Sequence, residues 1–149
     1  MLEATGLYKA FGGKPALEDV SFKVGKGEIF GLLGHNGAGK STSLGIILGM
    51  VAADRGDVTI GGVSVRKDRA KALRKVGAIF ESPAFFEYLT GWENLRQLVS
   101  YSCRFDPEEA REVVERVGLT QRIHSTVRTY SHGMRQRLAL AQALLPEPE

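Results

Sequence analysis

The residues with the clearest chemistry form a glycine-rich run in the first third of the 149-residue chain. Residues 34–41 follow the pattern Gly-x-x-x-x-Gly-Lys-Ser/Thr, which ends here in Lys40 and Ser41. Glycines let the backbone wrap an anion, so that successive N–H groups and a helix N-terminus point at phosphate oxygens. The Lys40 ammonium would reach the outer phosphates, and the Ser41 hydroxyl would be a ligand of Mg²⁺. The candidate nucleotide-binding residues in this loop are Gly34, His35, Asn36, Gly37, Ala38, Gly39, Lys40, Ser41 and Thr42.

The flanking sequence favours phosphate binding over a glycine-rich turn with an exposed lysine. The preceding apolar run, residues 29–33, does not alternate with polar residues, which predicts a parallel strand that is buried on both faces. After the loop, Leu44, Ile47 and Leu48 recur at helical spacing and predict a helix over about residues 40–50. Strand, loop and helix in this order predict a nucleoside triphosphate site, which kinases, GTPases, helicases and transport ATPases all share.

A second motif, ninety-one residues after Lys40, narrows the class. Ser131 and Gly133 precede a predicted helix, and alone they would indicate an ordinary N-cap. Together with the phosphate loop, residues 130–137 resemble the signature of the ATP-binding cassette (ABC) ATPases, commonly Leu-Ser-Gly-Gly-Gln. Tyr130, His132 and Met134 depart from that consensus. The resemblance implies that Ser131, His132, Gly133 and Met134 begin a helix that faces the γ-phosphate of ATP held by a second subunit.

The resemblance also assigns a role to Phe11. In the family an aromatic ring at this place stacks on adenine, which requires a π-face and no base-specific hydrogen bond. The alternative for Phe11 is a core aromatic residue.

Glu81 follows the apolar run of residues 76–80, where the family has a strand that ends in glutamine. In the family that glutamine contacts Mg²⁺ and the attacking water and senses the membrane partner. A carboxylate at Glu81 can still bind Mg²⁺, although it adds negative charge beside the triphosphate. A competing interpretation makes Glu81 the principal Mg²⁺ carboxylate of another phosphate-loop class, at the end of a Walker B strand, and leaves residues 131–137 unexplained.

The resemblance implies the ATP-binding component of an ABC transporter, a cytoplasmic ATPase that is held at the inner face of the cell membrane through a separate permease. Two such subunits would form a head-to-tail dimer around ATP and Mg²⁺, and the permease would contact residues 81–95. Glu81, residues 89–95 and the Tyr-Ser-x-Gly-Met motif resemble the branch associated with export of antibiotics, peptides or drugs. The alternatives are a soluble ABC ATPase that acts on DNA or ribosomes and a non-catalytic nucleotide-binding module.

The resemblance covers nearly the whole chain and stops before the family's later motifs. No apolar run ending in Asp-Glu follows Leu145, and no later histidine follows it. We therefore expect a P-loop NTPase core truncated before the Walker B strand, which binds nucleotide but does not hydrolyse it alone. We also expect an unpaired sheet edge, and with it poor solubility, association or completion by another chain.

The predicted strands and helices that must position these residues indicate an α/β fold. We expect a P-loop core and a small antiparallel β-subdomain in residues 1–89, and a helical subdomain in residues 90–149. Alternation over residues 20–24 predicts one strand, and Gly61-Gly62 predicts a hairpin between residues 58–60 and 63–65. Helix starts are predicted at three N-caps, which are Thr90, Asp106 and Ser131.

Composition limits the other classes of function. The formal charge is only +3, and the one dense basic stretch, residues 66–75, predicts a solvated helix face and no nucleic-acid partner. The longest apolar stretch, residues 44–53, is too short for a membrane span, which needs roughly 20 residues. The sequence has no secretory-signal layout, Cys103 has no possible disulfide partner within the chain, and the histidines lack the spacing of a zinc site.

Overall fold

The computed structural model describes residues 1–79 and 83–148, and its first unit, Met1–Leu73, is built on an antiparallel sheet. Four strands pair in the order β2-β1-β3-β4. They are β1 (Leu2–Phe11), β2 (Lys14–Val24), β3 (Arg55–Ile60) and β4 (Val63–Ser64). The predicted strand over residues 20–24 is confirmed as the end of β2, and the predicted hairpin is confirmed as β3 and β4. Strand β1, the central partner of both β2 and β3, is not among the strands predicted from the sequence.

Helix α1 (Lys40–Ile47) packs on this sheet directly after the glycine-rich loop. A Cβ added at Gly39 would lie 2.5 Å from the Ala16 carbonyl oxygen and 2.5 Å from Leu17 Cδ2, so the helix start touches β2. Ile46 and Ile47 are buried, whereas Leu44, predicted to share the apolar face, is 48% exposed. The core of this unit consists of Ala4, Leu7, Leu17, Ile46, Ile47, Val58, Val65 and Ala72.

Two predicted parallel strands do not form in the described residues. Residues 29–33 are irregular, with Ile29 fully exposed and Phe30 stacked on Phe22 at a centroid distance of 5.0 Å. Residues 76–79 are irregular as well, and the last residue of that predicted strand lies outside the described residues. A strand requires a neighbour to accept its backbone hydrogen bonds. Among residues 1–79 and 83–148, the only sheet is the antiparallel one, and it contains neither run.

The basic stretch holds one short helix, α2 (Arg69–Leu73). Its side chains are largely exposed, as a solvated face requires, although Ala72 rather than Ala70 is the buried residue. Arg69 Nε donates to the Leu48 carbonyl oxygen at 3.1 Å and so satisfies an acceptor at the end of α1.

The second unit, Arg74–Glu149, is helical in its described part. It contains α3 (Gly91–Val99), α4 (Pro107–Arg116), a 3₁₀ turn (Val127–Thr129) and α5 (His132–Leu144). All three predicted N-caps are confirmed, because the side chains of Thr90, Asp106 and Ser131 accept from backbone N–H groups of their own first turns. Buried residues of the three helices form one core, which includes Leu95, Val99, Val113, Val114, Leu138 and Ala141. The predicted subdomain boundary at residues 89 and 90 stays a prediction.

Substitution of two loop glycines by alanine tests whether α1 is packed against β2. Gly37 and Gly39 both have positive φ, at 88° and 86°, but a Cβ at Gly37 would meet no atom within 4 Å. We expect Gly37→Ala to cost about 1 kcal/mol of unfolding free energy through backbone strain alone. Gly39→Ala should cost about 2 kcal/mol more, because the methyl group would collide with β2. Denaturant unfolding of the two variants measures this difference, and equal losses would contradict the packing of α1 on β2.

Candidate functional site

The phosphate-loop residues form a tight turn that leads into α1. Gly39 is the N-cap residue, in the left-handed conformation at φ 86° and ψ 5°, and it has no side chain with which to cap the helix. The first intrahelical bond runs from Ser43 N–H to the Gly39 carbonyl oxygen at 2.8 Å. The N–H groups before Ser43 therefore lack intrahelical acceptors, and their dipoles add positive potential at this end of α1. This arrangement suits an anion.

Lys40 bridges the loop through its side chain. Its ammonium donates to the carbonyl oxygens of Gly34 at 2.7 Å and His35 at 2.8 Å. The turn is closed by Ala38 N–H, which donates to the same His35 oxygen at 3.1 Å. Gly34 must lack a side chain, since a Cβ there would lie 2.9 Å from the Ala38 Cβ. The ammonium is thus held by backbone carbonyl oxygens of a loop whose shape depends on its glycines.

The remaining loop residues are accessible. Ser41 is exposed at the second position of α1, Thr42 is half-buried behind it, and Asn36 is exposed. His35 Nδ1 lies 2.8 Å from the Asn36 carbonyl oxygen. The residue types fit a magnesium–triphosphate group, because they supply an ammonium, an exposed hydroxyl and free backbone donors on one short segment.

Phe11 lies at the end of β1, opposite Lys14 across the turn that joins β1 to β2. Its side chain is 53% exposed, which excludes the core-aromatic interpretation. Lys9 Nζ lies 5.3 Å from the centre of the ring. Leu17, which touches the start of α1, pairs with Lys9 in the sheet, so the hairpin that carries Phe11 also supports the phosphate loop.

The signature residues lie at the exposed start of α5, in the second unit. Ser131 Oγ accepts from Met134 N–H at 3.3 Å. Ser131, His132 and Gly133 are exposed, and a Cβ at Gly133 would meet no atom within 4 Å. Met134 is half-buried against the helical core. The geometry leaves the helix N-terminus open on the side where another molecule could approach.

Tyr130, the first departure from the consensus, is buried. Its hydroxyl donates to the Arg122 carbonyl oxygen at 2.8 Å, and burial raises the pKa of this phenol. Gly91, at the start of α3, leaves room for the ring, because a Cβ there would overlap the Tyr130 hydroxyl. No local sequence pattern indicates this contact, since the two residues are far apart along the chain.

Contacts that no sequence motif indicates also join the start of α5 to the segment of residues 86–90. Arg135 Nη2 forms an ion pair with Glu87 Oε1 at 2.9 Å. Arg128 N–H donates to the Glu87 carbonyl oxygen at 2.9 Å, and Val127 N–H donates to that of Leu89 at 2.9 Å. Residues 86–90 are further held by Asn94, which is completely buried and bonds to both backbone groups of Phe86.

Glu81 falls outside the described residues, so its predicted contacts with Mg²⁺ and water stay predictions. In the part of the chain that the structure describes, no three His, Cys, Asp or Glu side chains are grouped as a metal site. No helix in residues 1–79 and 83–148 has the length and apolar character that crossing a membrane requires.

Comparisons with solved structures agree with the observed fold. A structure of the ATP binding subunit of an ABC transporter superposes with a TM-score of 0.87 at 32% identity, over 99% of this chain and 63% of that one. The dimeric structure of MJ0796, a bacterial ABC transporter cassette, gives a TM-score of 0.85 at 26% identity, over 99% of this chain and 71% of that one.

Comparisons with sequences lead to the same family. The ATP-binding protein YdbJ of an uncharacterized ABC transporter in Bacillus subtilis is 49% identical over the whole chain. The linearmycin resistance ATP-binding protein LnrL of the same organism is 41% identical, again over 100% of the chain. The chain spans about half the length of these relatives, 48% of the first and 49% of the second. Because the family model described as ABC transporter also matches residues 17–149, the chain belongs to the ABC transporter family, among its ATP-binding proteins.

Proposed function

We propose that this chain is the nucleotide-binding part of an ABC transporter subunit, which couples ATP binding and hydrolysis to export through a separate permease. The single observation that carries the proposal is the position of the Lys40 ammonium. It is held by two carbonyl oxygens of the loop, beside a helix start that has no side-chain cap. A triphosphate would find there one full positive charge and several backbone donors that need no rearrangement of distant residues.

Within this site each residue has a distinct task. The N–H groups at the start of α1 and the Lys40 ammonium bind the β- and γ-phosphates. Ser41 would hold Mg²⁺ with its hydroxyl, together with the predicted contact of Glu81. When bound, Mg²⁺ neutralises charge on the phosphate oxygens. The exposed Phe11 ring would stack on adenine from the same hairpin that supports the loop.

A second copy would complete the nucleotide site. The start of α5 is exposed and capped by Ser131, so the signature can donate hydrogen bonds to a phosphate held by another subunit. A head-to-tail dimer brings each signature to the partner's ATP. The dimeric structure of the MJ0796 cassette supports the assembly of two copies. Hydrolysis requires an oriented water and a complete metal shell, which we assign to the dimer of the whole protein.

The transport direction and the membrane partner are inferred from the similarity of this chain to its relatives in the ABC transporter family. The name of LnrL, a linearmycin resistance protein, supports a role in antibiotic resistance, which we attribute to export of an antibiotic or a related compound. We propose that the permease contacts residues 81–95 and holds the subunit at the cytoplasmic face of the membrane. The alternatives remain an ABC ATPase of DNA or ribosomes and a non-catalytic module. Salt-dependent nucleic-acid binding would favour the first, and nucleotide binding without phosphate release by the whole protein would favour the second.

Removal of the Lys40 ammonium tests the nucleotide site. At about 100 times its Kd, ATP should stabilise the full-length gene product by about 2.7 kcal/mol. Lys40→Ala should abolish most of this shift, because the variant loses the charge that faces the phosphates. Thermal unfolding with and without ATP and Mg²⁺ provides the measurement. Lys26→Ala, at another exposed lysine of the same unit, should keep the full shift. An undiminished shift in Lys40→Ala would overturn the proposed site.

The signature is tested by comparing two helix caps of the second unit. Ser131→Ala and Asp106→Ala each remove an N-cap, so each should cost about 1 kcal/mol of stability. Only Ser131→Ala should weaken dimerisation driven by ATP, by roughly tenfold or more, because it removes a hydrogen bond to a charged phosphate. Sedimentation of the gene product with a non-hydrolysable ATP analogue measures the dimer. Equal weakening by both variants would show that the cap acts through stability alone.

A further inference from the structure

A charged cluster lies behind the exposed ring of Phe11. Asp54 Oδ1 accepts from Lys9 Nζ at 2.8 Å, and Asp54 Oδ2 accepts from Ala10 N–H at 2.8 Å. The same lysine ammonium lies 5.3 Å from the centre of the Phe11 ring. One carboxylate thus holds both the backbone beside Phe11 and the cation that touches its ring.

Asp54 is itself fixed by the sheet. Its N–H donates to the Tyr8 carbonyl oxygen at 2.9 Å. Asp54 directly precedes β3, whose first residue, Arg55, pairs with Tyr8. The hydrogen bonds from Lys9 and Ala10 lower the pKa of Asp54, so the carboxylate stays ionised at neutral pH. The aspartate therefore acts as a rigid anionic anchor at the end of two strands.

Lys9 is restrained by this anchor. Its side chain is only 15% exposed, which is unusual for a lysine and strengthens its attraction to a carboxylate and to a π-face. Phe11 nevertheless remains 53% exposed, and in the described part of the chain no second aromatic ring packs against it. Cβ atoms added at Gly12 or Gly13 would meet nothing within 4 Å. One side of the ring is thus supported while space is open around the turn.

We propose that Lys9 and Asp54 are positioning residues for the nucleobase, which fix the Phe11 ring in the orientation that stacks on a purine. The inference rests on the proposed function, because it assumes that Phe11 contacts the base. Lys9 attracts the π-electrons towards one face of the ring. The opposite face becomes poorer in electrons and so stacks better on an electron-rich purine.

Fixing the ring before binding also reduces the entropy that binding must remove. An ordered side chain at an interface is worth about two- to tenfold in affinity, and this sets the expected effect of losing the anchor. The effect should be confined to ligands that carry a base. Inorganic tripolyphosphate occupies the phosphate loop without touching Phe11, so its affinity should not depend on Lys9 or Asp54.

Calorimetric titration of the full-length gene product with ATP and with tripolyphosphate, each with Mg²⁺, tests the proposal. Lys9→Met keeps the length of the side chain and removes its charge, and Asp54→Asn keeps an acceptor for Ala10 N–H. Each should weaken ATP binding by about two- to tenfold and leave the tripolyphosphate affinity within about twofold of the original. Lys9→Arg should largely restore ATP affinity, because guanidinium also binds a carboxylate and a ring face.

A control variant separates the anchor from general damage to the hairpin. Arg55→Met removes the cation that lies 5.1 Å from the neighbouring Tyr8 ring, and it should leave the affinities for both ligands unchanged. Parallel loss of ATP and tripolyphosphate affinity in Lys9→Met would overturn the proposal, and so would unchanged ATP affinity. Melting temperatures of all variants identify any that have lost their fold, and whichever of Lys9→Met and Asp54→Asn stays folded then carries the comparison with Lys9→Arg.

The same titrations distinguish failure of the inference from failure of the proposed function. If the original protein binds neither ligand, the proposed phosphate site is wrong and the inference fails with it. If Phe11→Ala leaves ATP affinity unchanged, the ring does not contact the base, although the phosphate site stands. If Phe11→Ala weakens ATP binding while Lys9→Met and Asp54→Asn do not, only the anchoring role is overturned.

Discussion

The absence of a side chain at Gly39 is the constraint on which the phosphate loop depends. Its left-handed backbone reverses the chain into α1, and its missing Cβ lets that helix touch Ala16 and Leu17 of β2. A residue that capped its own helix would consume the N–H groups that an anion needs. The α5 start differs, because Ser131 caps it and leaves a hydroxyl at the surface. The two helix termini therefore present different donors, one purely backbone and one that includes a side chain.

Local chemistry explains why the predicted helix starts are confirmed, whereas two predicted strands do not form in the described residues. The caps at Thr90, Asp106 and Ser131 satisfy N–H groups within three residues, so a short stretch of sequence contains both partners. The runs at residues 29–33 and 76–79 have the apolar character of buried strands, but a strand depends on neighbours that the local sequence does not specify. In the described residues no strand lies beside either run, and both are irregular.

The candidate site likewise contains parts that a short sequence pattern predicts and parts that it does not. The loop pattern identified Lys40 and its glycines directly, because the hydrogen bonds of the Lys40 ammonium stay within a stretch of seven residues. The anchor behind Phe11 joins Lys9 to Asp54 across 45 residues, and it exists only because β1 pairs with β3 in one register. A shift of that register by one residue would turn these side chains to opposite faces of the sheet. No spacing rule in the sequence contains this information.

The start of α5 is likewise determined by residues outside the signature. Asn94 has no exposure and bonds to Phe86 and to the Thr90 carbonyl oxygen, so it fixes the chain that enters α3. Carbonyl oxygens of that segment accept from the N–H groups of Val127 and Arg128, which lie four and three residues before the Ser131 cap. A buried amide with every partner satisfied is costly to disturb, since each lost bond leaves a polar group without water. The orientation of the signature is therefore set by packing and hydrogen bonds around residues 86–94 as much as by its own sequence.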